Sequence, residues 1–331
     1  WMDIIEYLLK IPDALVFKNA EDEYFVLFAD FDTAEEGVQR LRNRFRLGWG
    51  ENDASMVHPY WLYLPHANVV DSVENLLYFI RYVRQNAMTF SETDFLRIEK
   101  DRVEQMDRER ETEQLIMEAI EYDRVEVFYQ PIYSTSEQRI TSAEALVRIR
   151  DKEGKIVPPG VFIEIAEKSG MILRLGEIVF EKVCQFIRRY PLEQYGLHYI
   201  EVNLSVVQCS YEDLAQDYIR IMKKYEVSPN KINLEITESA STNAKKTLLG
   251  NMEELMEYGV KFSLDDFGTG QSNLNYIVDM PVDIVKFDRS MTNSYFENGK
   301  ARYVMEAAIH MIHGMNLEIV SEGIETAEQL E

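Results

Sequence analysis

Seven side chains sit where polar chemistry is out of place. Glu144, Asn203, Glu235, Asp265, Asp266, Lys286 and Glu322 each lie in or at the end of a short apolar run. The flanks are plain in Val202-Asn203-Leu204, Leu234-Glu235-Ile236 and Val285-Lys286-Phe287. A charge inside a core strand is costly unless it is paired or coordinates a metal. One such residue would mean little, but six successive strands each offering one is hard to explain by packing. Four or five carboxylates and one amide oxygen form an all-oxygen ligand set, suited to Mg²⁺ or Mn²⁺ rather than Zn²⁺. Without cations they would repel one another. Two metal ions would neutralise them, activate a water and hold phosphate oxygens, the usual arrangement for in-line phosphodiester cleavage. Lys286 adds a fixed positive charge for the transition state or the attacking hydroxide. The bland alternative is a buried ion-pair network around Lys286, although one lysine cannot balance five carboxylates.

Such a set needs elements that converge. Strand-like runs are Val125 to Tyr133, Ser142 to Ile149, Tyr199 to Leu204, Lys231 to Ile236, Lys261 to Leu264, Asp283 to Phe287 and Glu318 to Val320. Helical spacing separates most of them, at Gly176 to Tyr190, Glu212 to Tyr225, Ala244 to Glu257 and Arg302 to His313. Repeated β-then-α units imply a parallel sheet, open or closed. Ligands in such folds bind at the carboxyl ends of the strands, where these seven residues fall.

The rest of the chain is organised differently. Its 331 residues suggest two domains. Residues 1–90 read as α+β, with strands at Ala14 to Lys18 and Tyr24 to Phe28, helices at Thr33 to Phe45 and Val69 to Asn86, and a further strand within Val57 to Leu64. Residues 91–122 are rich in Glu, Arg, Lys and Met. Leu96, Val103, Met106, Leu115 and Ala119 recur at roughly helical spacing, which predicts a long exposed linking helix, either a signalling element or a passive spacer. The formal net charge of −23 repels a nucleic-acid backbone, so DNA or long RNA is not an expected partner. Cys184 and Cys209 have no CxxC spacing, which fits a reducing cytoplasm. Apolar runs such as Ile178 to Phe180 are too short to span a membrane. Because Trp1 stands inside an amphipathic pattern, the chain is expected to be a fragment, with any membrane or sensor region lying upstream.

The same positions resemble a known family. Glu144-Ala145-Leu146, followed by Val147-Arg148, looks like the signature of EAL-domain cyclic di-GMP phosphodiesterases. Tyr129-Gln130-Pro131-Ile132 precedes it. Asn203-Leu204-Ser205, Leu234-Glu235-Ile236-Thr237-Glu238-Ser239, Asp265-Asp266-Phe267-Gly268-Thr269-Gly270, Lys286-Phe287-Asp288 and Glu322-Gly323-Ile324-Glu325-Thr326 follow in the family's order. The resemblance implies a (β/α)8-type, TIM-like barrel over 123–331 that opens cyclic di-GMP to linear pGpG with one or two Mg²⁺ or Mn²⁺ ions, Ca²⁺ being inhibitory. It implies Glu144, Asn203, Glu235 and Asp265 as ligands of the first metal, and Asp266 at the second with Asp265 bridging. Glu322 would bind metal or act near the attacking water, which Lys286 would position. Gln130 and Arg148 would contact the substrate, a guanidinium suiting a phosphate oxygen. Glu238 would buttress the loop that starts at Asp265, where family members couple dimerisation to activity, so a homodimer is expected. The family's last strand and a late glutamine lie beyond Glu331, so the natural protein is expected to continue.

The front part resembles the second half of a GGDEF domain. Lys18-Asn19-Ala20-Glu21-Asp22-Glu23-Tyr24 stands where that family has its signature hairpin, with Ala20 and Glu21 in place of two glycines. A partial, degenerate and catalytically dead domain is expected, with GTP as a candidate regulatory ligand. The main competing function is a receptor that binds cyclic di-GMP without cutting it and signals through the linking helix. A third reading is another Mg²⁺-dependent barrel enzyme using Lys286 as a base. His310 and His313, one helical turn apart, stand away from every strand end and are read as ordinary helix residues.

Overall fold

Two stretches of different texture divide the chain. In a computed structural model, the packing separates two compact units, Trp1–Glu111 and Thr112–Glu331. The structure describes residues 2–12, 14–18, 23–46, 59–65, 72–90, 95–98, 100–237, 245–268, 277, 280–297 and 299–330. Among these, no helix is long and apolar enough to cross a membrane.

In the first unit, β1 (Ala14–Lys18) and β2 (Tyr24–Phe28) form an antiparallel hairpin, Ala14 opposite Phe28 and Lys18 opposite Tyr24. Its connecting residues 19–22, part of the GGDEF-like stretch, lie outside the described residues. The helix Phe31–Arg46 buries Ala34, Gly37, Leu41 and Phe45, the three- and four-residue spacing of an apolar stripe. Asp30 caps its start, the carboxylate accepting the Thr33 N–H at 2.9 Å. β3 (Trp61–Tyr63) pairs in parallel with β4 (Phe95–Arg97). The single helix expected over 91–122 is therefore corrected: β4 comes first, then a helix over Lys100–Glu121. Leu96 fitted the helical spacing, but it is buried on β4, where Phe95-Leu96 lies beside Trp61-Leu62 and cross-strand pairing favours aromatic and branched residues. Val103 and Met106 join Phe79, Val83, Leu96 and Ile98 in one small core.

The second unit is built on β5 (Val125–Ser134), β6 (Arg139–Arg150), β7 (Ile156–Val157), β8 (Tyr199–Leu204), β9 (Ile232–Thr237), β10 (Lys261–Phe267), β11 (Ile284–Phe287) and β12 (Glu318–Ser321). The sheet runs β12-β11-β10-β9-β8-β6-β5, with β7 beside β6. Along β6-β8-β9-β10-β11-β12 neighbouring strands are parallel. Helices Ile172–Arg189, Leu214–Tyr225, Lys245–Tyr258 and Gly299–Gly314 fall between them. This is the curled wall of a TIM-like (β/α) barrel.

Local sequence explains these pieces. In β9 the apolar residues Ile232, Leu234 and Ile236 are buried, and so are Asn233 and Glu235 between them. A parallel strand is covered on both faces, and alternation sends the two sets to opposite sides. Burying each branched side chain contributes about 1.5–3 kcal/mol. The helix Ile172–Arg189 buries Ile172, Leu175, Val179, Phe180, Val183 and Ile187, and ends in Arg188-Arg189, which suits the negative end of its dipole. Two strands depart from the all-parallel expectation, β5 and β7, each antiparallel to β6. β5 and β6 are antiparallel, because the four residues between them are too few for a crossover, which needs a dozen or more. A helix not expected from the sequence, Pro159–Ser169, starts with proline in its first turn and ends on Gly170 at φ 76°.

Candidate active site

Strand alternation and register bring the polar residues together. Gln130 stands across from Glu144, Glu144 beside Glu201, Asn203 beside Glu235, and Glu235 beside Ser263. Lys286, on the neighbouring β11, is 2% exposed. Its ammonium donates to Glu235 Oε1 at 2.5 Å and lies 3.1 Å from Glu322 Oε1. It is 3.6 Å from Glu144 Oε2, 3.6 Å from Glu201 Oε2 and 3.9 Å from Asp265 Oδ1. The Asn203 side-chain amide donates to Glu144 Oε1 at 2.7 Å. The site thus unites Glu144, Asn203, Glu235, Asp265, Lys286 and Glu322, as their spacing suggested.

Asp266 joins them through a backbone irregularity. Its φ is 58°, in the left-handed region that few non-glycine residues adopt. The β10–β11 register shifts between Leu264 and Phe267, the mark of a bulge that re-aims a side chain. Burial raises the Asp266 carboxyl, and the charges of Asp265, Asp288 and Glu322 raise it further.

The other expected residues are less tightly drawn in. Gln130 is exposed on β5. Arg148, four residues along β6 from Glu144 and so on the same strand face, donates to its neighbour's carbonyl, Val147 O, at 2.8 Å. Its guanidinium lies 5.6 Å from the Phe128 ring. Glu238, Thr269 and Gly270 lie outside the described residues. Gly268 has φ 102°, and a Cβ there would meet Met291 Sδ at 2.6 Å, so the start of this loop needs glycine. His310 and His313 are exposed on the helix Gly299–Gly314, and among the described residues no candidate metal group includes them.

The charges are unbalanced. Burial pushes Glu201 up to about 7; Lys286 opposes the shift, while Glu144 and Asp265 reinforce it. Glu235 is driven well above the ordinary range, first by burial, against Lys286 and with help from Asp265, Glu144 and Glu201. Glu322 is raised as well, chiefly by burial. Burial works against the charge on Lys286 too, but Glu235, Glu144, Asp265 and Glu201 outweigh it and hold the ammonium above the ordinary lysine range. An ion-pair network around Lys286 does exist, yet it leaves several carboxylates strained.

The donor set fits divalent cations. Glu235, Asp265 and Glu322 each offer an oxygen within 4.8 Å of the other two. Glu235 Oε2 and Asp265 Oδ1 are buried with no hydrogen-bond partner. Orphaned carboxylate oxygens in an all-oxygen cluster are what Mg²⁺ or Mn²⁺ would satisfy.

A second tier of polar residues, not expected from the sequence, lies beneath the first. Glu201, Asn233 and Ser263 are fully buried, two residues before Asn203, Glu235 and Asp265. The signal was present in Tyr199-Ile200-Glu201-Val202-Asn203, where alternation puts Glu201 and Asn203 on one face.

Comparison with known proteins places this geometry. The family model described as EAL domain matches residues 89–331. The signaling protein YkoW of Bacillus subtilis (strain 168) is 35% identical over 220 residues, 66% of this chain and 27% of the relative. The bifunctional diguanylate cyclase/cyclic di-GMP phosphodiesterase MucR of Pseudomonas aeruginosa is 31% identical over 216 residues, 65% of this chain and 32% of the relative. The chain therefore spans under a third of these relatives' lengths. The solved structure of the PaMucR phosphodiesterase in complex with c-di-GMP superposes with a TM-score of 0.61 at 29% identity, covering 66% of this chain and 89% of that one.

Proposed function

The chain belongs to the EAL domain family, and on that premise we propose that it hydrolyses cyclic di-GMP to linear pGpG with the help of divalent metal ions. One observation carries this reading: acidic and amide side chains from successive strands converge on a buried lysine, leaving Glu235 Oε2 and Asp265 Oδ1 buried without a hydrogen-bond partner. Relatives bear the phosphodiesterase name, and the superposed PaMucR structure holds c-di-GMP.

In this reading Glu144, Asn203, Glu235 and Asp265 would hold the first ion, and Asp266, helped by Asp265, the second. Because the Asn203 amide nitrogen is turned to Glu144, its oxygen remains as the donor. When bound, Mg²⁺ or Mn²⁺ would acidify a water and offset charge on the phosphate oxygens. Lys286, held protonated by its carboxylate neighbours, acts as a hydrogen-bond donor that orients the attacking oxygen. That protonation weighs against the reading in which Lys286 is a base. Glu322, beside Lys286 and partly exposed, binds metal or takes the proton released as the water oxygen bonds to phosphorus and the bond to the ribose 3′ oxygen breaks, that oxygen taking a proton from solvent to become the product hydroxyl. Gln130 and Arg148 contact the substrate, and Glu238 braces the loop after Asp265.

We assign residues 1–90 to a partial, degenerate GGDEF-like domain, 91–122 to the link and 123–331 to the EAL domain. Homodimerisation and GTP binding by the front domain belong to the same reading and rest on resemblance.

The test is turnover of cyclic di-GMP by the purified protein with Mg²⁺ or Mn²⁺, with binding measured in parallel in Ca²⁺. Metal-dependent release of the linear dinucleotide is expected. Binding without turnover would overturn the hydrolytic reading in favour of a receptor, and the absence of both binding and turnover would overturn it altogether.

A further inference from the structure

The barrel floor is polar where packing would favour hydrocarbon. Glu201, Asn233 and Ser263 come from three adjacent strands, and each is fully buried. They lie two residues, or about 6.6 Å along the strand, below the row of Asn203, Glu235 and Asp265. Interior layers of such barrels are ordinarily filled by branched apolar residues. A buried charge is weak support for stability, since apolar residues of similar volume often do as well or better. A carboxylate kept at this depth calls for another explanation.

Its contacts supply one. Asn233 Nδ2 donates to Ser263 Oγ at 2.6 Å and to Glu201 Oε1 at 3.3 Å, and Ser263 Oγ lies 3.5 Å from the same Glu201 oxygen. One carboxylate oxygen is therefore tied to the floor. The other, Oε2, has no hydrogen-bond partner and lies 3.6 Å from Lys286 Nζ. Among the described residues, the other acidic partners of Lys286 are Glu144, Glu235, Asp265 and Glu322, and each is assigned above to a metal or to the water. Drawn toward cations, those carboxylates would have less to offer the ammonium. Glu201, anchored from below, would keep its place.

We infer that Glu201 is a positioning residue: braced by Asn233 and Ser263, it holds the Lys286 ammonium at the base of the site while the upper carboxylates serve the metals. The inference rests on the proposed reaction for its catalytic consequence. The pairing itself can be observed without turnover.

The experiment compares E201Q, E201D and S263A with wild type. E201Q keeps the shape and an acceptor for Asn233 but loses the charge. In it, kcat falls about tenfold while KM changes by less than about twofold. The thermal midpoint of the metal-free protein does not fall, because one of several crowded carboxylates has gone. E201D restores the charge on a shorter arm and recovers part of kcat. S263A, the mildest change, lowers kcat about twofold. The independent readout is the ¹⁵N signal of the Lys286 side chain, assigned by its absence in K286R and followed with and without Mg²⁺. In E201Q this signal shifts and its protons exchange faster with water.

An unchanged Lys286 signal in E201Q overturns the inference. So does a loss of kcat that tracks a fall in thermal midpoint, or that E201D fails to recover. If wild type turns over no cyclic di-GMP, the proposed reaction falls, while the lysine signal still decides whether Glu201 holds Lys286.

Discussion

β9 and β1 are both short strands rich in apolar residues, yet they hold different information. In β9, Ile232 through Ile236 are buried without a break. In β1, Leu15 is 65% exposed and Phe17 50% exposed. A strand covered on both faces makes every polar residue expensive, so Asn233 and Glu235 must have a use. An open hairpin tolerates polar and apolar residues alike, and composition there says little about function. The barrel therefore shows its chemistry in its sequence, and the front unit does not.

The contrast can be broken or sharpened by experiment. The largest effect is expected at the site: K286A or E144A lowers turnover at least about a thousandfold while circular dichroism in Mg²⁺ stays that of wild type. Turnover within tenfold of wild type in both would show that these polar residues are structural. Next in size, L234A on β9 destabilises by about 2–5 kcal/mol, read from the urea midpoint of the transition that reports the barrel. A cost below 1 kcal/mol would mean that β9 is less enclosed than its burial indicates.

A pH effect comes third. Glu201, Glu235 and Glu322 are raised in the folded protein, chiefly by burial. An acid with a raised folded pKa binds more protons folded than unfolded, so its contribution is full below the unfolded value and is lost as pH rises through the folded one. For Glu201 that window runs from 4.5 to about 7. The metal-free thermal midpoint should fall across it, and saturating Mg²⁺ should remove the slope, because ligation favours the deprotonated carboxylates. A midpoint that rises over this window without metal would contradict the crowding described here. The smallest effect is expected at the hairpin, where L15A changes stability by no more than about 0.5 kcal/mol. A cost comparable to that of L234A would show Leu15 to be covered in solution.

The same contrast explains how much could be read in advance. Strands β8, β9 and β11 were legible because apolar runs with a polar interruption have few other uses. The row of buried polar residues was legible for the same reason, since Asn203, Glu235 and Lys286 each break such a run. Glu201 was less legible because it stands two residues inside the strand end, although alternation places it on the same face as Asn203. Pro159–Ser169 was not among the expected helices, although the proline at its start and Gly170 at its end are its signals. At Phe95–Arg97 the choice between helix and strand was made by a partner more than thirty residues away in the chain, Trp61–Tyr63, which local spacing does not report.

The bulge at Asp265-Asp266 has a consequence for anyone transplanting this chemistry. In a regular strand two consecutive carboxylates point to opposite sides, one into the barrel and one into the helical shell. Here the left-handed turn of Asp266 and the slipped register after Leu264 leave both acids within reach of the charges of Glu322 and Lys286. The letters Asp-Asp grafted onto an unbroken strand would deliver half the pair. Deleting a single residue there would leave the composition almost unchanged while sending one of the two acids to the wrong side of the wall.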